Sequence, residues 1–185
     1  MRPRFADEGE KDLHGRMPIQ SRPAASGTEA AADGIAVTLD AACVFCRIIA
    51  GQAEASLVYR DDSVTAFMDI SPVTPGHVLL VPNLHAADLA HLPDEYGAQL
   101  LIVGRRIAQS MRRTGLRCEG VNLFLADGQA AGQSVFHTHL HIIPRFHGDG
   151  FGFRRRPRLG TPSREELQAI AESLRGALRQ SGWAD

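Results

Sequence analysis

The ten residues FHTHLHIIPR, Phe136 to Arg145, put a histidine at every second position: His137, His139 and His141. No other stretch restricts the backbone as much. On a β-strand successive side chains point to opposite faces, so a spacing of two lines one face. A helix would spread the same three rings over more than half its circumference. Thr138, Leu140 and Ile142, interleaved with the histidines, and the stop at Pro144 favour the strand. The segment is therefore expected to form a strand over 135–144, with imidazoles in a row about 7 Å apart. Three readings compete for that row. Histidines that merely alternate would bury rings without partners, which is costly. A metal site is the second reading. The third is a catalytic row, in which one ring attacks and the others handle protons or charge.

The rest of the chain narrows the setting. Its 185 residues suit one domain with a respectable core. A net charge of −1 gives no overall argument for nucleic acid or an acidic membrane as partner. Lys11 is the only lysine, and the densest arginine cluster, Arg154, Arg155, Arg156 and Arg158, reads as a solvated loop. Three cysteines are too few and too unevenly placed for a disulfide framework, which points to a reducing compartment. No apolar run approaches membrane-spanning length, and the N-terminus lacks the apolar core of a secretory signal. The expectation is a soluble cytoplasmic protein.

Residues 1–40 carry scattered charges, alanine, glycine and proline without a sustained period, and read as a flexible leader. CVFCRIIAG suggests a short helix ended by Gly51. SLVYRDDSVTAFMD reads as a hairpin turning at RDDS, and HVLLVP as a further strand. Between Asp94 and Arg113, Tyr96, Leu100, Val103, Ile107 and Met111 recur at helical spacing, with Gly115 as the stop. GVNLFLA is the next strand, DGQAAGQS a glycine-bearing loop, and VFHTHLHIIP the last strand. Ser163 and Glu166 make a capping-box pattern before a final helix striped by Leu167, Ile170, Leu174 and Leu178. The fold class is α+β: a mostly antiparallel sheet of about five strands with one long helix inserted before the last two. Residues 41–152 would form the domain, and 153–185 a basic loop and C-terminal helix.

HTHLHII, together with CVFCRIIAG, AFMDISPVTPGHVLLVP and AGQSVFHTHLH in that order, resembles the histidine triad (HIT) family of nucleotide hydrolases and transferases. The likeness spans roughly residues 43–150. It implies a small α+β unit that pairs as a homodimer through the long helix and an edge strand, and a purine nucleotide as substrate. It also assigns roles. His139 matches the nucleophile that forms a covalent nucleotidyl-imidazole, later hydrolysed by water. His141 matches the residue that meets the phosphate oxygens or the leaving group, His137 the supporting first triad member, and His77 the fourth histidine of the pocket. Gln133 and Ser134 match phosphate contacts, and Asp69 an acidic residue that holds the ribose hydroxyls. Phe45, Phe67 and Ile70 would wall the base. Ala126 departs from the family, in which many members carry an asparagine that contacts sugar or phosphate.

Cys43 and Cys46 stand as CxxC, the spacing by which two thiolates chelate one ion; alone, the pair is open between metal, redox pair and accident. With the resemblance, His85 and His137 complete a structural zinc site of the kind some HIT branches and related uridylyltransferases use. Two other functions stand beside an enzyme acting on a nucleoside phosphoramidate, dinucleoside polyphosphate or nucleotidyl ester. One is a non-catalytic nucleotide-binding adaptor, the other a zinc-stabilised scaffold. An intact His139 flanked by both neighbours favours the enzyme, since a binding module needs no nucleophile.

Overall fold

The computed structural model describes residues 28–32, 35–152 and 162–182. Ten elements follow one another: β1 (Thr28–Ala32), β2 (Ile35–Leu39), α1 (Val44–Ile49), β3 (Leu57–Arg60), β4 (Val64–Met68), β5 (Val78–Pro82), α2 (Asp94–Met111), β6 (Gly120–Leu125), β7 (Leu140–Arg145) and α3 (Arg164–Gln180). β3 to β7 form one antiparallel sheet in the order β3-β4-β5-β7-β6. This is the expected α+β architecture, with the long helix inserted before the last two strands.

Strand alternation divides the sheet residues between two cores. Val64, Ala66, Val78, Leu80, Leu140 and Ile142 point to one face, where Leu100, Val103, Ile107, Ala108 and Met111 of α2 cover them. Gly104 lets the helix approach closely, because a Cβ there would lie 2.9 Å from Leu140. Phe67, Leu79 and Val81 point to the other face and meet Phe45, Cys46 and Ile49 of α1 together with Cys43. His141 faces this second side, in register with Leu79 on β5 and Phe124 on β6.

Two expectations need correction. The last strand begins at Leu140 rather than at residue 135. The pairing of β7 with β5 stops at Leu140 opposite Leu80 although β5 runs on to Pro82, and the Thr138 amide and hydroxyl both donate to the Ala86 carbonyl instead. His137 and His139 therefore precede the strand, and only His141 lies on it. The expected leader is also not structureless to residue 40. β1 and β2 pair antiparallel, Thr28 opposite Leu39 and Ala32 opposite Ile35. The first 27 positions and the arginine cluster lie outside the described residues.

The chain divides into two compact units, residues 1–149 and 150–185. In the second, α3 starts with the expected capping box: Ser163 Oγ accepts from the Glu166 amide, and the Glu166 carboxylate accepts from the Ser163 amide. Among the described residues no helix is long and apolar enough to cross a membrane.

Candidate active site and metal cluster

The His139 ring sits where the chain enters β7, buried to 4% exposure. Its Nδ1 lies 2.7 Å from the His137 carbonyl oxygen. A carbonyl can only accept, so Nδ1 carries the proton and Nε2 keeps its lone pair. Burial pushes the pKa of this imidazole below its ordinary value, although the bond to the His137 carbonyl opposes the shift. The ring is thus neutral near pH 7, with a free lone pair. The His141 ring stands 4.8 Å away, centroid to centroid, at 61°. That is closer than the 7 Å expected of a regular strand face, because His139 enters from irregular backbone.

His141 faces His77 from the other side, Nδ1 to Nε2, at 2.9 Å. His77 is 2% exposed and directly precedes β5; Asp69 directly follows β4. The Asp69 amide donates to the His77 carbonyl, which extends the β4–β5 ladder and brings the two side chains together, Oδ2 to Nδ1 at 3.3 Å. Burial lowers the His77 pKa, offset in part by the Asp69 carboxylate. Burial, with His139 and His77 adding, holds His141 down at about 4. Phe124 contacts the His141 ring at 5.7 Å and was not singled out from the sequence; only the register of β6 against β7 reveals it.

Phe45 closes the site from α1. Its ring meets Phe67 at 5.4 Å, His139 at 5.3 Å and His137 at 5.8 Å. Ile70 is 98% exposed and stands outside this aromatic group. The glycine loop is held by Gln133, which is buried. Its side-chain oxygen accepts from the Gly128 amide, and its nitrogen donates to the Ala87 and Val135 carbonyls. The expected phosphate contact is thus committed to shaping the loop. Gly128 and Gly132 take positive φ, +84° and +92°, which side chains rarely adopt. Ser134 is exposed at the loop's end, and Ala126 is buried with only a methyl group to offer.

Cys43, Cys46, His85 and His137 converge beside this site, their ligand atoms all within 4.8 Å of one another. His85 Nδ1 lies 3.3 Å from the Cys46 sulfur, and His137 Nδ1 lies 3.5 Å from both sulfurs. A tetrahedral zinc with ordinary bond lengths sets sulfur and nitrogen ligands about 3.6 Å apart, close to these distances. His137 Nε2 donates to the Pro82 carbonyl at 3.0 Å, so the Nδ1 facing the sulfurs is the unprotonated nitrogen that a metal requires. Hydrogen bonding with Cys46, then His137 and His85, pulls Cys43 far down, while the same pairing pushes Cys46 up. The residues fit the ion. A second group, Asp69, His77 and His141, also lies within ligand distance. There His77 meets its two neighbours with opposite nitrogens, Nε2 toward His141 and Nδ1 toward Asp69.

Known proteins share this sequence and fold. The HIT domain family profile matches residues 50–148. Protein hit of Bacillus subtilis is 41% identical over 140 residues, 75% of this chain and 96% of that protein. A zinc-bound histidine triad family protein from Mycobacterium smegmatis superposes with a TM-score of 0.58 at 42% identity, covering 73% of this chain and 96% of that one. Adenosine 5'-monophosphoramidase HNT1 of Saccharomyces cerevisiae is 34% identical over 128 residues, 69% of this chain and 76% of that protein. The chain belongs to the HIT family.

Proposed function

We propose that this protein is a nucleotidyl hydrolase or transferase that cleaves at the α-phosphate of a purine nucleoside phosphoramidate or dinucleoside polyphosphate. The observation that carries the reading is the His139 tautomer: a buried neutral imidazole with Nδ1–H fixed on the His137 carbonyl and Nε2 left as a nucleophile. The yeast relative, by its name, acts on an adenosine phosphoramidate, which favours that substrate class.

The Nε2 lone pair of His139 attacks phosphorus in line, and the bond to the leaving group breaks as the new P–N bond forms; a departing amine takes up a proton from water, and a departing phosphate leaves as its anion. His141 donates a hydrogen bond to the oxygens that gain charge or to the departing atom. Water then attacks the nucleotidyl-imidazole; the P–N bond breaks, the nucleoside monophosphate leaves, and the water proton is lost to solvent or a neighbouring base. Phe45 and Phe67, themselves buried, back the histidine pocket from the apolar side, and Asp69 offers an acceptor to the ribose hydroxyls. Zinc on Cys43, Cys46, His85 and His137 would be structural, tying α1 to the backbone before β7.

The test is steady-state turnover of adenosine phosphoramidate by purified protein, alongside AMP binding by calorimetry. Parent protein should do both. His139→Ala should bind AMP yet lose turnover by 10³-fold or more, on the order seen when a covalent nucleophile is removed. A parent that binds AMP but turns over none of the candidate substrates would leave an adaptor.

A further inference from the structure

We infer that the backbone amide of Val73 sets the tautomer of His141, acting through His77. The inference rests on the nucleotidyl-transfer reading for its purpose, but concerns a separate atom, the proton of His141.

Val73 precedes His77 in the loop between β4 and β5, and its N–H donates to His77 Nδ1 at 3.2 Å. A ring nitrogen that accepts an N–H bears its lone pair there and no proton. A neutral imidazole has one N–H, so that of His77 is on Nε2. His77 Nε2 faces His141 Nδ1 at 2.9 Å, and two nitrogens this close require one donor and one acceptor. His77 donates, His141 Nδ1 accepts, and the His141 proton is left on Nε2. Two neighbouring rings of the same chemistry are thereby given opposite functions. His139, fixed by the His137 carbonyl, turns a lone pair outward; His141, fixed by the Val73 amide, turns an N–H outward.

The surrounding residues hold this arrangement. Asp69 Oδ1 accepts the Ser71 amide at 2.8 Å, which anchors the loop that carries Val73. Gly76 takes φ +95°, and a Cβ there would lie 2.6 Å from Leu116, so glycine lets the chain turn into His77. Asp69 Oδ2, 3.3 Å from His77 Nδ1, is a competing influence that attracts a proton to that nitrogen. A doubly protonated His77 would still donate from Nε2, so His141 keeps its assignment. A neutral His77 flipped toward Asp69 would reverse it. The Val73 amide is what opposes that flip.

The experiment is nitrogen NMR of the imidazole rings in the full-length, metal-containing protein labelled with 15N-histidine. In the parent, Nε2 of both His77 and His141 should show the shift of a protonated nitrogen and Nδ1 that of an unprotonated one. Val73→Pro removes the amide donor. The His77 proton should then move to Nδ1, opposite Asp69, and the His141 proton from Nε2 to Nδ1. Turnover of the phosphoramidate should fall about 10-fold or more, since its leaving group needs a donor. His77→Gln, whose side-chain N–H replaces Nε2–H, should keep His141 protonated on Nε2. A parent with a neutral His77 protonated on Nδ1 overturns the inference, whether or not Val73→Pro folds. So does a folded Val73→Pro with both tautomers unchanged. If the parent shows the expected tautomers but turns over no nucleotidyl substrate, the functional reading fails and this inference stands.

Discussion

His139 and His141 stand two residues apart and differ in what their Nδ1 atoms meet, a carbonyl in one case and an imidazole in the other. On the proposed mechanism that difference separates nucleophile from donor, and residue types alone do not reveal it. Burial has a consequence for pH. The His141 pKa is held at about 4, with His77, His139 and Asp69 as the ionisable groups facing it. In the unfolded chain the ring takes up a proton near pH 6.5. Between that value and about 4 the unfolded state therefore binds the proton and the folded state does not, so stability falls as pH drops through this window. Thermal midpoints measured from pH 7 to pH 4 should decline, and His141→Gln should flatten the slope. Gln133 gives a second prediction. Gln133→Leu leaves the Gly128 amide and the Ala87 carbonyl without their partner, while the Val135 carbonyl keeps the His137 amide. Each loss costs about 1–3 kcal/mol where water cannot substitute, so the melting temperature should fall clearly. An unchanged melting point would show that the loop does not depend on this clamp.

Among the elements, α1 matters most for its length. Six residues with no side-chain cap at Cys43 would be marginal alone. Yet this helix presents Cys46 to the cysteine–histidine cluster and Phe45 to both His137 and His139, while Cys43 stands at its start. We expect about one zinc per chain by elemental analysis of protein purified without chelator. Cys43→Ser should lower stability by several kcal/mol while changing the chemical step by a smaller factor, because a closed four-ligand site supports folding. Active, well-folded protein free of metal would rule the site out. How legible all this was varied with the kind of signal. The stripe Leu100, Val103, Ile107 and Met111 predicted α2, since period and burial are one fact seen twice. Ser163 and Glu166 predicted the start of α3 for a similarly local reason. The start of β7 departs from the alternation. Alternation describes which way side chains point, whereas Thr138 is drawn off the sheet by Ala86, 52 positions earlier in the chain. The pairing of β1 with β2 lies in a stretch whose scattered charges, alanine and glycine show no sustained period. The carbonyls of His137 and Pro82 and the amide of Val73 were invisible in principle, because backbone groups are the same in every residue.

At the scale of the whole molecule, the sheet ends in β6, where Leu123 is 42% exposed, and on α2 Leu101 and Ile102 are 60% and 43% exposed. Large apolar groups on a helix and an edge strand suit the homodimer that the family resemblance implies. Sedimentation should give twice the chain mass, and Leu101→Glu should shift it toward the monomer. A parent that sediments as a monomer at micromolar concentration would remove the dimer from the account. The central claim is narrower: that one histidine of the row, His139, becomes covalently nucleotidylated. The most direct test is mass spectrometry of protein mixed with adenosine phosphoramidate and quenched within one turnover. The account predicts an adenylyl adduct on His139 within the peptide containing HTHLH, absent from His139→Ala. An adduct on His137 or His141, or turnover by His139→Ala at a rate near the parent's, would contradict it.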